Sequence, residues 1–79
     1  MTLDSLPLGQ VARIAAVDWS VLAADEAQRL RALGFDVGAE VAVAHRGVFG
    51  GRDPLAISLG RMTVALRRTH ARAMTVEAN

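Results

Sequence analysis

The sequence predicts a mainly-β fold, a very small barrel with one α-helix inserted after its first strand and a short helical turn before its last. Three observations carry this expectation. Of the chain, 52% is hydrophobic but only 4% aromatic, which suits a narrow barrel interior filled by Val, Leu, Ile and Ala. Apolar residues alternate with period two at 39–45 and 54–59, whereas helical spacing takes over in a single longer stretch from about Ala23. Glycines at Gly34, Gly38 and Gly60 punctuate the passages between these stretches. At 79 residues the chain reads as one domain over 1–79, with its core at about 6–77, near the lower size limit for folding without staples.

The elements follow in order. Leu3 to Gly9 reads as an extended lead-in with a turn at Pro7 to Gly9. Gln10 to Asp18 reads as a strand, with Val11, Arg13, Ala15 and Val17 on one face and Ala12, Ile14 and Ala16 on the other. Trp19 then serves as a core residue or a plug for the barrel end. From Ala23 the apolar positions Ala23, Ala27, Leu30 and Leu33 form one helical stripe, and Asp25 and Arg29 form an i, i+4 pair. Gly34 ends the helix, because glycine takes the left-handed conformation at little cost.

Phe35 to Gly38 makes a tight reversal into a strand over Ala39 to His45, with Val41 and Val43 inward and His45 in register with them. Arg46 to Asp53 is a glycine-rich loop with Val48 and Phe49 at its tip. Pro54 opens the next strand, where its missing N–H is tolerated, and Leu55, Ile57 and Leu59 share one face. Gly60-Arg61 is the signal of a two-residue type II′ hairpin into Met62 to Leu66. Arg67 to Arg72 forms one tight turn, and Ala73 to Val76 closes the fold as a strand.

Composition narrows the function. Without cysteine the chain has no disulfide, thiolate site or Cys nucleophile. The N-terminal residues lack the basic and apolar regions of a signal peptide, and nowhere do ~18 consecutive apolar residues occur, so no membrane insertion is expected. The nine basic residues are all arginine and the net charge is +1, too near zero for broad nucleic-acid binding. Trp19, Phe35 and Phe49 are too few aromatics for a base-stacking platform or a proline-helix groove.

No catalytic constellation is evident. His45 and His70 are the only histidines, Ser5, Ser20 and Ser58 the only serines, and no motif surrounds any of them. GVFGGRD lacks the Gly-Lys-Ser/Thr ending of a phosphate loop. His45, His70, Asp53 and Glu40 show no metal-ligand spacing, so no metal ligand is assigned. The chain is therefore expected not to be an enzyme. The candidate partner-binding residues have two readings each: Val48 and Phe49, at a loop tip with Arg52 nearby, either fold back over the barrel end or contact a partner, and Arg67 and Arg68 either form a solvated turn or present guanidinium groups to an acidic surface.

These residues carry a family resemblance over most of the chain, from about Leu6 to Glu77. Arg29-Leu30, Leu33-Gly34-Phe35 and Gly38 lie in the helix-to-strand passage, Asp53-Pro54 opens the next strand, and Leu66-Arg67-Arg68 precedes Ala71, Met74 and Val76. In that order and spacing they resemble FeoA, the small cytosolic component of bacterial ferrous iron transport systems. Val37 stands where the family often has proline, and the loop before Asp53 is glycine-rich with Arg52.

The resemblance implies an SH3-like barrel and a cytoplasmic accessory role beside FeoB, the membrane transporter with a cytosolic GTPase domain. It also implies transition-metal-ion binding as the family's broad label, with weak divalent binding and no certain cofactor. On this reading the chain is an adaptor recruited to the inner face of the membrane, docking through the Arg46 to Asp53 loop and nearby barrel surface. Two alternatives stay open. One is an SH3-like regulatory module related to the C-terminal domain of iron-dependent repressors, acting on a partner in trans. The other is a small RNA-binding barrel, favoured by a pI of about 9.1.

Overall fold

Short β-rich stretches cannot satisfy their backbone groups alone, and here five of them share one antiparallel sheet. The computed structural model describes residues 1–47 and 53–78. Its strands are β1 (Ala12–Val17), β2 (Glu40–Arg46), β3 (Leu55–Leu59), β4 (Met62–Leu66) and β5 (Met74–Ala78), in the order β4-β3-β2-β1-β5. Helix α1 (Ala24–Leu33) is inserted between β1 and β2, and the short helix α2 (Arg68–Arg72) precedes β5. The mainly-β barrel with one inserted helix is the fold observed.

Strand β1 is paired on both sides at its start and leaves β2 while continuing along β5. Its first residues pair with β2 at Ala12↔Val41 and Arg13↔Glu40, while its run along β5 continues to Val17↔Met74. A register shift between Ile14 and Ala16 marks the bend, as bulges do where a strand must turn a barrel corner. The shift also breaks the expected alternation. Ala12 and Ile14 are buried, but Ala16 is exposed and the shift returns Val17, opposite the buried Met74, to the core face.

A second shift, between Val43 and His45 in β2, corrects another expectation. Val41 and Val43 are buried, yet the extra residue turns His45 outward to an exposed position. The period-two pattern of the sequence contains no sign of that insertion.

Helix α1 begins and ends close to expectation. Leu30 is fully buried and Ala27 and Leu33 are half-buried, while Ala23 is exposed at the N-terminal boundary. The expected partner of Arg29 is replaced: its guanidinium binds Glu26, with Nε 2.7 Å from Oε1. Asp25 has a shorter side chain that turns back to accept the Glu26 amide N–H at 2.9 Å. Gly34 stops the helix at φ 115°, where its N–H donates to the Arg31 carbonyl at 3.0 Å and the Phe35 N–H donates to the Leu30 carbonyl at 3.0 Å. This pair of bonds is a Schellman motif, and it delivers Phe35 into the core with no exposed surface. Gly38 then donates its N–H to the Ile14 carbonyl at 2.8 Å, fastening the entry of β2 to β1.

The β3–β4 hairpin is as the sequence predicts. Leu59 pairs with Met62 across Gly60-Arg61, and only Gly60, at φ 60°, has positive φ in that turn, as type II′ requires. Leu55, Ile57, Leu59 and Leu66 are buried.

The largest departure is at the N-terminus. Leu3 to Ser5 form a 3₁₀ turn rather than an extended lead-in, and Leu3 and Leu6 are fully buried. The segment is pinned at both ends. Thr2 pairs with Thr75, the Val76 N–H donates to the Met1 carbonyl at 2.8 Å, Leu8 bridges to Val43, and the Gly9 N–H donates to the Val43 carbonyl at 3.0 Å. It crosses the barrel end as a strap from the outer edge of β5 to β2. Its Leu side chains fill space that a five-stranded barrel of this size leaves open.

Candidate functional site

The strap brings a carboxylate over the arginines of α2. Asp4 is 7% exposed, and its Oδ2 lies 3.7 Å from Arg68 Nε and 3.7 Å from Arg72 Nε. The Thr2 hydroxyl donates to Asp4 Oδ1 at 2.5 Å. Positions 68 and 72 fall one helical turn apart, so both guanidinium groups reach the same side. From β2, Arg46 Nη1 donates to the Asp4 carbonyl at 2.9 Å and its Nη2 donates to the Leu6 carbonyl. Three arginines from two elements therefore hold one strap.

Burial alone would push the Asp4 carboxyl up. The Thr2 hydrogen bond, Arg72, the local backbone and Arg68 together outweigh it and hold the pKa below its ordinary value of 3.8. A carboxyl with a depressed folded-state pKa contributes stability that is fully present above its unfolded value. That contribution is lost as pH falls through the folded value. Urea midpoints measured from pH 7 downward are expected to fall through the acid range, and Asp4→Asn is expected to flatten that limb. A variant with an unchanged acid limb would show that Asp4 does not carry it.

Asp53 makes a second tether on α2. Its carboxylate accepts the Arg68 backbone N–H at 2.8 Å and so satisfies a donor that the helix start leaves open. Arg67, just before the helix, is exposed, and with Asp53 and Pro54 it lines a shallow depression. Asp53-Pro54 is a cis peptide. On the other side of α2 an open groove of about 490 Å³ is lined by Asp18, Val21, Thr69, Arg72, Ala73 and Thr75. The Asp18 carboxylate there caps the turn Trp19–Val21 by accepting from the Ser20 amide and hydroxyl. Trp19 is half-buried against the core, with the Arg31 guanidinium carbon 4.7 Å from its ring centroid.

The sequence-predicted positions divide clearly. Val48, Phe49 and Arg52 lie outside the described residues. Arg67 is exposed, as a contact residue must be, while Arg68 is turned onto Asp4 and contributes to holding α2. Leu30, Leu66 and Ala71 are buried, Leu33 and Pro54 are half-buried, and Gly34, Gly38 and Gly60 all take positive φ. Among the described residues, His45 and His70 included, no three His, Asp or Glu side chains could hold a metal ion. His70 Nδ1 is buried without a hydrogen-bond partner among the described residues. Asp4 and Arg46 escaped the sequence reading. An acidic residue inside the apolar run Leu3 to Leu8 was the one available signal for Asp4, and nothing local marks Arg46 as its partner.

Comparisons with known proteins agree with this fold. The FeoA domain model matches residues 1–78. No curated protein matches the chain by sequence comparison. The solution structure of iron(II) transport protein A from Clostridium thermocellum is 26% identical with a TM-score of 0.83, over 99% of this chain and 45% of that one. The present chain thus spans less than half of that structure. The crystal structure of Stenotrophomonas maltophilia FeoA complexed with zinc is 39% identical with a TM-score of 0.77, over 98% of this chain and 89% of that one. It is described as a prokaryotic SH3 domain protein and a candidate activating factor of bacterial ferrous iron transport. A manganese-dependent transcriptional repressor, 18% identical, shares the fold with a TM-score of 0.80 over 100% of this chain and 41% of its own.

Proposed function

This chain belongs to the FeoA family and has its SH3-like fold, and on that premise we propose that it is a non-catalytic accessory protein of ferrous iron transport. It acts on the cytosolic side of the membrane and docks on the cytosolic part of the FeoB GTPase-transporter. The observation that carries the reading is the family match over residues 1–78, supported by the 39% identical relative described in connection with transport activation. The docking residues are Val48, Phe49 and Arg52, which precede Asp53 in the sequence, together with Arg67. Arg68 supports them by anchoring α2 to Asp4.

Immobilised FeoB GTPase domain from the same organism is expected to retain the parent chain. Phe49→Ala and Arg67→Glu should each weaken retention at least tenfold, because interface energy concentrates in few aromatic and arginine anchors. Equal retention of both variants would overturn the docking residues. No retention of the parent would overturn the transporter reading itself. A repressor-like or RNA-binding role would instead show binding to nucleic acid that weakens steeply with salt. The zinc of the S. maltophilia structure is not carried over, since the described residues offer no group of three ligands.

A further inference from the structure

Strand β4 ends the sheet, and among the described residues it pairs only with β3. Exposed edges are usually blunted by charge, proline, a bulge or a cover, because their free N–H and C=O groups template another strand. None of the first three devices is present. Met62 to Leu66 reads Met-Thr-Val-Ala-Leu, and all five residues keep unbroken register with β3.

The direction of the free groups follows from the hairpin. Leu59 and Met62 flank a two-residue turn and form a hydrogen-bonded pair, so the antiparallel alternation turns the N–H and C=O of Thr63 and Ala65 away from β3. Thr63 and Ala65 are exposed. Met62 and Val64, opposite the core residues Leu59 and Ile57, are also incompletely covered, Met62 being 44% exposed. Arg61 and Arg67 bracket the strand, both exposed and neither in an ion pair with a described residue.

We propose that the β4 edge binds an added strand from a partner protein, an extended segment with an uncharged centre and acidic residues at both ends. Backbone bonding to Thr63 and Ala65 supplies the pairing, and Arg61 and Arg67 select the flanking charge. A second copy of this chain fits worse. Antiparallel β4 pairing centred on Val64 would set Arg61 of each copy against Arg67 of the other, and like charges placed directly opposite are unfavourable. The inference stands whether or not the partner is the transporter.

The test is a titration of ¹⁵N-labelled protein with a peptide of alternating Thr and Val flanked by Asp and Glu, at up to millimolar concentration. The Thr63 and Ala65 amides are expected to shift and to slow in hydrogen exchange by at least tenfold. Ala65→Pro removes an N–H that β3 does not use and should weaken binding at least tenfold. Methylating the peptide's central amides should do the same without touching the protein, and a lysine-flanked peptide should bind at least tenfold more weakly. Unchanged Thr63 and Ala65 amides, equal binding of both flanks, or a dimer of the free chain that Ala65→Pro dissolves would overturn it.

Discussion

Leu6→Ala is expected to lower stability by about 3 kcal/mol, read as a shift of the urea midpoint with the slope unchanged. Leu6 has no exposed surface, and its surroundings are poorly able to collapse into the space left behind. Arg46 holds the Leu6 carbonyl, and Leu8 and Gly9 are bonded to Val43 just beyond it. A pinned backbone keeps the cavity, which moves the cost away from the low end of the range for buried leucines. A domain of this length has a total stability of roughly 4–12 kcal/mol. One truncation in the strap therefore removes a large share of it. Ser5→Ala, an exposed site in the same segment, is expected to change stability by no more than about 0.5 kcal/mol. A similarly small effect at Leu6 would show that the strap is a surface appendage and not part of the core.

Phe35→Ala is expected to be still more costly, at about 4 kcal/mol, and to leave much of the chain unfolded at 37 °C. Phe35 is the largest fully buried side chain among the described residues. It sits on the residue that follows the Gly34 stop, so one side chain joins the end of α1 to the strands around it. Losing it opens a cavity beneath the passage from α1 to β2, where Gly38 is fastened to Ile14. Val37, on the same turn but 65% exposed, provides the contrast: Val37→Ala should be nearly neutral. Far-UV circular dichroism against urea for the two variants checks both expectations, and similar midpoints would show that Phe35 is not the anchor of this passage.

These two sites bear on function through the parts they position. The strap carries Asp4 onto Arg68 and Arg72, and Asp53 caps the same helix from the other side. Arg67 is thereby presented from a tethered α2 beside Asp53 and Pro54. A variant that loosens the strap should therefore weaken partner binding without altering any contact residue.

Much of the fold was legible because its signals are local. The helical stripe ending at Gly34, the reversal to Gly38 and the Gly60-Arg61 hairpin each depend on residues within a few positions, and each formed where expected. The family residues are legible for the same reason, since several of them are turn glycines and buried core positions. Of the proposed contact residues, Arg67 stands exposed, while the structure draws Arg68 inward to a charge that lies 64 positions earlier in the chain.

By itself, then, the sequence determined the element order, the two glycine stops, the hairpin and the family. Dihedral preference and apolar period act over a few residues and can be read from them directly. Tertiary structure alone decided that residues 1–9 close the barrel, that bulges turn β1 and expose His45, and that Asp4 gathers Arg68 and Arg72 while Arg46 holds its backbone. Each of those outcomes depends on which surface remains uncovered once the sheet has coiled. That is a property of the packed whole, and a periodic pattern in one segment carries no information about it.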